Sequence, residues 1–66
     1  MAGGYVLIIT KPKYEEKVYE KLKECEYVDE IKPIFGEFDF IVKFQDNKFL
    51  EELREIDWIV DRKVLL

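Results

Sequence analysis

The segment Tyr5-Val6-Leu7-Ile8-Ile9 is apolar on both of its alternating faces, and no other feature constrains the chain more. Its β-branched and aromatic residues predict a strand running from Tyr5 to Thr10. Tyr5, Leu7 and Ile9 line one side and Val6 and Ile8 the other, so the strand belongs in the middle of a sheet covered on both faces. Lys11-Pro12-Lys13 ends it, because proline cannot donate to the ladder. Sixty-six residues hold one domain, 1–66, and few residues remain to build two covering layers. A monomer of this size buries only about 60% of the surface its unfolded chain exposes. Chains this short gain stability from disulfides, a metal or a partner subunit. Cys25 is the single cysteine and histidine is absent, which excludes an internal disulfide and a closed tetrahedral zinc site. Association is the route left.

The chain carries 15 acidic and 11 basic residues, a formal charge of −4. Nucleic-acid binders draw affinity from displaced counterions and show a basic excess or stripe. Neither is present, and no direct DNA binding is expected. The longest apolar run, Tyr5 to Ile9, is far short of the ~20 residues that span a bilayer. It is too short for a signal peptide as well, and the residues before it carry no lysine or arginine. A cytoplasmic protein with no membrane partner is expected. Serine and histidine are absent and Thr10 is the only threonine, so a Ser-His or Cys-His pair cannot form within one chain. No enzymatic activity, catalytic residue, metal or cofactor is expected. The 39% charged residues and the scarcity of Asn, Gln, Cys and Met lean toward a thermophilic source.

After Pro12 the period becomes helical. Tyr14, Val18, Leu22 and Cys25 share one face of a helix, while mixed-sign pairs such as Lys17–Glu20 and Glu20–Lys23 fill the rest. Val28 to Phe35 predicts a second strand, and Pro33 within it argues for an edge position or a bulge. Gly36-Glu37 supplies a tight turn into a third strand, Phe38 to Phe44, with Phe38, Phe40, Val42 and Phe44 on one face and Asp39, Ile41 and Lys43 on the other. Asp46 or Asn47 can cap a short second helix of about residues 47–55, with the apolar stripe Phe49, Leu50, Leu53 and Ile56. Trp58 to Leu66 predicts a fourth strand. The order βαββαβ is the ferredoxin-like α+β pattern, a four-stranded antiparallel sheet with two helices on one face.

That topology leaves the second face of the sheet bare. Covering about six large apolar side chains is worth ~10 kcal/mol before the costs of association are subtracted. A homodimer with its sheets packed face to face is the simplest arrangement. The plainer alternative is a monomer with a half-apolar open face.

Phe35-Gly36-Glu37-Phe38-Asp39-Phe40 is the sharpest local feature. An acidic side chain beside a glycine turn could hold an ammonium group; the plainer reading is a hairpin turn with a solvated aspartate. Aromatics on the first and third strands, Tyr5 with Phe38, Phe40 and Phe44, invite comparison with RNA-recognition motifs, which share the βαββαβ order. Phe35 and Asp39 depart from that motif's pattern. Glu16, Glu20 and Glu24 repeat at helical spacing with lysines interleaved, which reads as an ion-paired, solvated face rather than a metal ladder. Asp57, Asp61 and Arg62 read as edge charges that discourage aggregation. Cys25 reads as a small core side chain, and Trp58 and Arg62 are of the types that anchor interfaces.

From Tyr5 to about Leu66 the chain resembles the RAM domain, the amino-acid-binding domain of Lrp/AsnC-type transcriptional regulators. The resemblance is carried by Tyr5 to Pro12, by Val18-Tyr19-Glu20-Lys21-Leu22, and above all by Phe35 to Lys43 with its Gly-x-Phe-Asp element, Gly36 to Asp39. No helix-turn-helix pattern accompanies it, as in stand-alone RAM proteins. The resemblance implies a dimer formed by sheet packing, able to assemble into rings, with a small effector, usually an amino acid, bound between dimers near the glycine turn. By this resemblance Gly36, Glu37, Phe38 and Asp39 form the ligand-binding loop. Gly36 would admit a ligand close to the backbone, and Asp39 would hold its ammonium group or position the loop. The family commonly places threonine or serine near the pocket on its last strand; Trp58 to Leu66 has neither. Two rival readings remain: a purely structural assembly module, and an RNA-binding domain.

Overall fold

A computed structural model describes residues 3–65. Its elements follow the order β1 (Gly4–Thr10), α1 (Glu15–Lys23), β2 (Val28–Pro33), β3 (Phe40–Phe44), α2 (Lys48–Leu53) and β4 (Ile59–Leu65). The four strands form one antiparallel sheet in the order β2-β3-β1-β4, the ferredoxin-like arrangement. The two-sided apolar strand β1 is central, as its composition requires. Leu66, where the fourth strand was expected to end, lies outside the described residues.

Register separates the two faces. Val6 lies opposite Val42 and Val64, and Ile8 opposite Phe40 and Arg62. Val6, Ile8, Phe40, Val42 and Phe44 are buried together with Val18 and Leu22 of α1, Phe49 and Leu53 of α2, and Ile56. Phe44 and Phe49 meet with ring centroids 5.5 Å apart. This is the core, and it lies between the sheet and the helices. Tyr5, Leu7, Ile9 and Ile41 belong to the other face by the same alternation.

Two expectations need correction. Phe40 and Phe44 are buried in the core on the opposite side of the sheet from Tyr5, so no aromatic platform faces outward for bases to stack on. Burying these rings closes the core of a small domain and takes Phe40 and Phe44 out of the outward stripe that invited the RNA comparison. The ion pairs expected along α1 also give way to other contacts. Lys17 Nζ sits 5.9 Å from the Tyr14 ring centre and 5.8 Å from that of Trp58, and Lys23 Nζ is 5.7 Å from the Tyr19 ring. Aromatic faces beside these lysines attract the ammonium groups while leaving them in water.

Capping and turn chemistry set the ends of the elements. The Asp46 carboxylate accepts the Lys48 N–H at 2.9 Å and so satisfies a donor at the start of α2, where either Asp46 or Asn47 had been expected to act. Pro33 closes β2, which is an edge strand with a register shift between Val28 and Glu30. Between β1 and α1 the Tyr14 N–H bonds the Lys11 carbonyl at 3.0 Å, Pro12 follows Lys11, and Lys13 has φ 76°. This is a type II turn with lysine in the position that favours glycine.

Candidate functional site

The loop from Ile34 to Asp39 joins the two strands of the β2–β3 hairpin. It is longer than the tight turn expected from Gly36-Glu37, because β2 stops at Pro33 and β3 begins only at Phe40. Asp39 explains the late start. Its N–H donates to the Ile8 carbonyl of β1 at 2.8 Å. Its carboxylate Oδ2 accepts the Thr10 N–H at 2.8 Å and the Thr10 hydroxyl at 3.2 Å. Thr10 is only 4% exposed, so its hydroxyl would be an unpaired buried donor without this acceptor. One further rung, Ile34 N–H to the Asp39 carbonyl at 3.0 Å, closes the loop at its base.

The remaining loop residues sit on that anchor. Gly36 has φ +112°, a conformation that side-chain-bearing residues rarely adopt, and nothing lies within 4 Å of where a Cβ would be. Glu37 is exposed and Phe38 half-buried, while Phe35 is fully exposed. Gly36, Glu37, Phe38 and Asp39 are thus gathered on one loop, with Glu37 at the tip and Asp39 at the base. Thr10 was missed in the sequence because its partner lies 29 residues away. Its one visible signal was being the only threonine, placed at the end of the most apolar strand.

Three surface hollows lie elsewhere. The largest, about 630 Å³, is lined by Lys13, Lys17, Lys21, Trp58 and the glutamates Glu16, Glu20 and Glu24. Tyr14 stacks on Trp58 beside it with ring centroids 5.6 Å apart. The other two open in the cleft between the helices around Lys21, Glu52 and Ile56. None of the three touches the loop.

Cys25 lies in that cleft, half-buried, with Sγ 3.7 Å from Glu52 Oε1. Burial raises the thiol above its ordinary value of 9.0, and the negative charges of Glu52 and Glu26 push the same way, against a lowering hydrogen bond at the Tyr27 backbone. A protonated thiol donating to a carboxylate is a packing group rather than a nucleophile. Among the described residues no cluster of Cys, Asp and Glu is placed to hold a metal ion, and no helix is long and apolar enough to cross a membrane.

Comparison with solved structures places this architecture. The crystal structure of FFRP-DM1 superposes with a TM-score of 0.91 at 26% identity, over 98% of this chain and 96% of that one. A hypothetical protein from Pyrococcus horikoshii, PHS023, gives 0.86 at 28% identity over 98% and 87%. PH0061 gives 0.80 at 26% identity over 97% of this chain, which spans about half (49%) of that protein. These neighbours support a fold of the Lrp/AsnC-like RAM type. No protein-family model matches the sequence, and no curated protein does.

Proposed function

We propose that this chain is a non-catalytic assembly and effector-binding module of the RAM type, related to Lrp/AsnC transcriptional regulators. The observation that carries this reading is the contrast between its two sheet faces. The helix-side face is buried, whereas the open face presents Tyr5, Leu7, Ile9 and Ile41 along its two central strands. Charges flank that stripe: Glu30 and Lys32 on β2, Lys43 at the end of β3, Asp61 and Lys63 on β4. An apolar centre with a polar rim is the composition of a protein interface. Face-to-face pairing of two copies would cover it and leave the rim in water.

The loop is the proposed effector site. Asp39 is held by Thr10 through Oδ2, which leaves Oδ1 as an acceptor for a ligand ammonium group. Gly36 keeps the neighbouring backbone open to close approach, and Glu37 and Phe38 would flank the ligand. The three hollows described above lie away from this loop, and further copies in a higher assembly would complete a pocket there. Likeness to FFRP-DM1 supports the regulatory context, and likeness to a Pyrococcus horikoshii protein agrees with a thermophilic source. A lone thiol suits the reducing cytoplasm.

A thermal-shift screen against the twenty amino acids tests the effector part. At least one should raise the melting temperature at millimolar concentration, and Asp39→Ala should abolish that shift. If none shifts the protein, the effector reading fails and the structural assembly module remains, since it rests on the sheet face alone.

A further inference from the structure

The largest hollow, about 630 Å³, belongs neither to the open sheet face nor to the Ile34–Asp39 loop. It lies along the outer side of α1 and reaches Trp58, so a copy stacked on the open sheet face leaves it uncovered. Its volume is that of a small-ligand site. We infer that it binds a mononucleotide, with the base stacked on the Trp58 ring and the phosphate held by Lys17 and Lys21.

The aromatic part is set in place by the backbone. Trp58 is half-buried and lines the hollow, and Tyr14 stacks on it with ring centroids 5.6 Å apart and planes 21° from parallel. The Lys11 N–H donates to the Trp58 carbonyl at 2.8 Å, and the Tyr14 N–H donates to the Lys11 carbonyl at 3.0 Å. Both rings are thus tied to one turn, and the stack exists before a ligand arrives. A flat heteroaromatic ring extends such a stack at little ordering cost, whichever base it is.

The charge beside the ring is positive. Lys17 Nζ lies 5.8 Å from the Trp58 ring centre. Lys17 and Lys21 follow Tyr14 by three and seven residues and so share its side of α1, one helical turn apart. Glu16 and Glu20 follow it by two and six, which turns them to the far side of the hollow. Among the described residues the one ion pair is Lys32–Glu30 on β2, so no glutamate neutralises either lysine. Two ammonium groups one turn apart suit a dianion better than a single carboxylate, and a phosphate monoester carries about −1.5 to −2 charges at pH 7. A cationic ligand would instead meet Lys17 at the ring before it reached the glutamates.

Trp58 is the only tryptophan in the chain, so its fluorescence reports on this hollow. With excitation at the red edge of the indole band, adenosine monophosphate should quench it saturably, with half-saturation below about 1 mM. Adenosine, which offers the ring without the charge, should need at least about tenfold more. Both lysines are exposed, so replacing them leaves the core in place. Lys17→Gln combined with Lys21→Gln should weaken the nucleotide at least about tenfold, the worth of one charge-assisted contact, and leave adenosine unchanged. Lys43→Gln with Lys63→Gln removes the same charge from the open sheet face and should change the nucleotide's affinity by less than about twofold. No saturable quenching by the nucleotide, equal affinity for adenosine, or equal weakening by the two lysine pairs would overturn the site and leave a solvated helix face. None of these readouts involves Asp39 or the apolar sheet stripe, so failure of the proposed assembly and effector functions would leave the result standing.

Discussion

Replacing Asp39 with alanine strips the acceptor from both the N–H and the hydroxyl of buried Thr10. An unsatisfied buried donor costs about 1–3 kcal/mol, so the variant should unfold at clearly lower denaturant than the parent. Thr10→Val removes only the hydroxyl and leaves the N–H bond, and should lose about 1 kcal/mol. Equal losses would mean that the hydroxyl carries the whole contact. Gly36→Ala meets no steric obstacle, because nothing lies near its Cβ position, and so isolates backbone strain at φ +112°. A loss of about 1–2 kcal/mol in the same unfolding assay is expected. Cys25 gives a readout that varies with pH. Its pKa lies above the unfolded value, so the unfolded chain releases its proton first and the thiol's contribution to stability fades as pH rises past about 9. Alkylation at pH 8 should be slower for the folded protein than for the denatured chain.

Among the elements, β1 and α1 were legible because long periodic patterns leave few alternatives. The alternation from Tyr5 to Ile9 assigned each side chain to its observed face, and the spacing of Val18 and Leu22 marked the buried side of α1. Pro33 pointed correctly to an edge strand. The hairpin loop was less legible, because glycine marks a turn but does not say how far the strands reach. That extent is set by Asp39 bonding to β1, a contact between distant residues that no local pattern encodes. The aromatic stripe of β3 was visible, but which layer would cover it was not, and there the RNA comparison failed. The Lys11–Tyr14 turn suggests a stabilising change. Lys13→Gly puts the favoured residue at a positive φ and should raise stability by about 0.5–1 kcal/mol in a thermal or denaturant melt. Leu53, fully buried on the short helix α2, is the opposite case. Truncation to alanine should cost about 2–5 kcal/mol, a large part of what a chain this size possesses.

For the whole molecule, a radius of gyration of 10.6 Å fits a single closed unit, for which about 10.8 Å is expected at this length. One layer of helices closes one face, and among the described residues no element lies over the other. Tyr5 remains 43% exposed on that open face, near the start of β1. The face-to-face association we propose rests on the same alternation that built the core. Leu7→Asp tests it directly, because it sets a charge in the middle of the apolar stripe and leaves the helix-side core untouched. Light scattering on the parent and the variant at matched concentrations is the decisive measurement. The parent should weigh at least twice its 8.0 kDa chain mass, and Leu7→Asp should weigh less. A parent that stays at 8.0 kDa, or a variant with an unchanged mass, would contradict a sheet that needs a second copy to cover it.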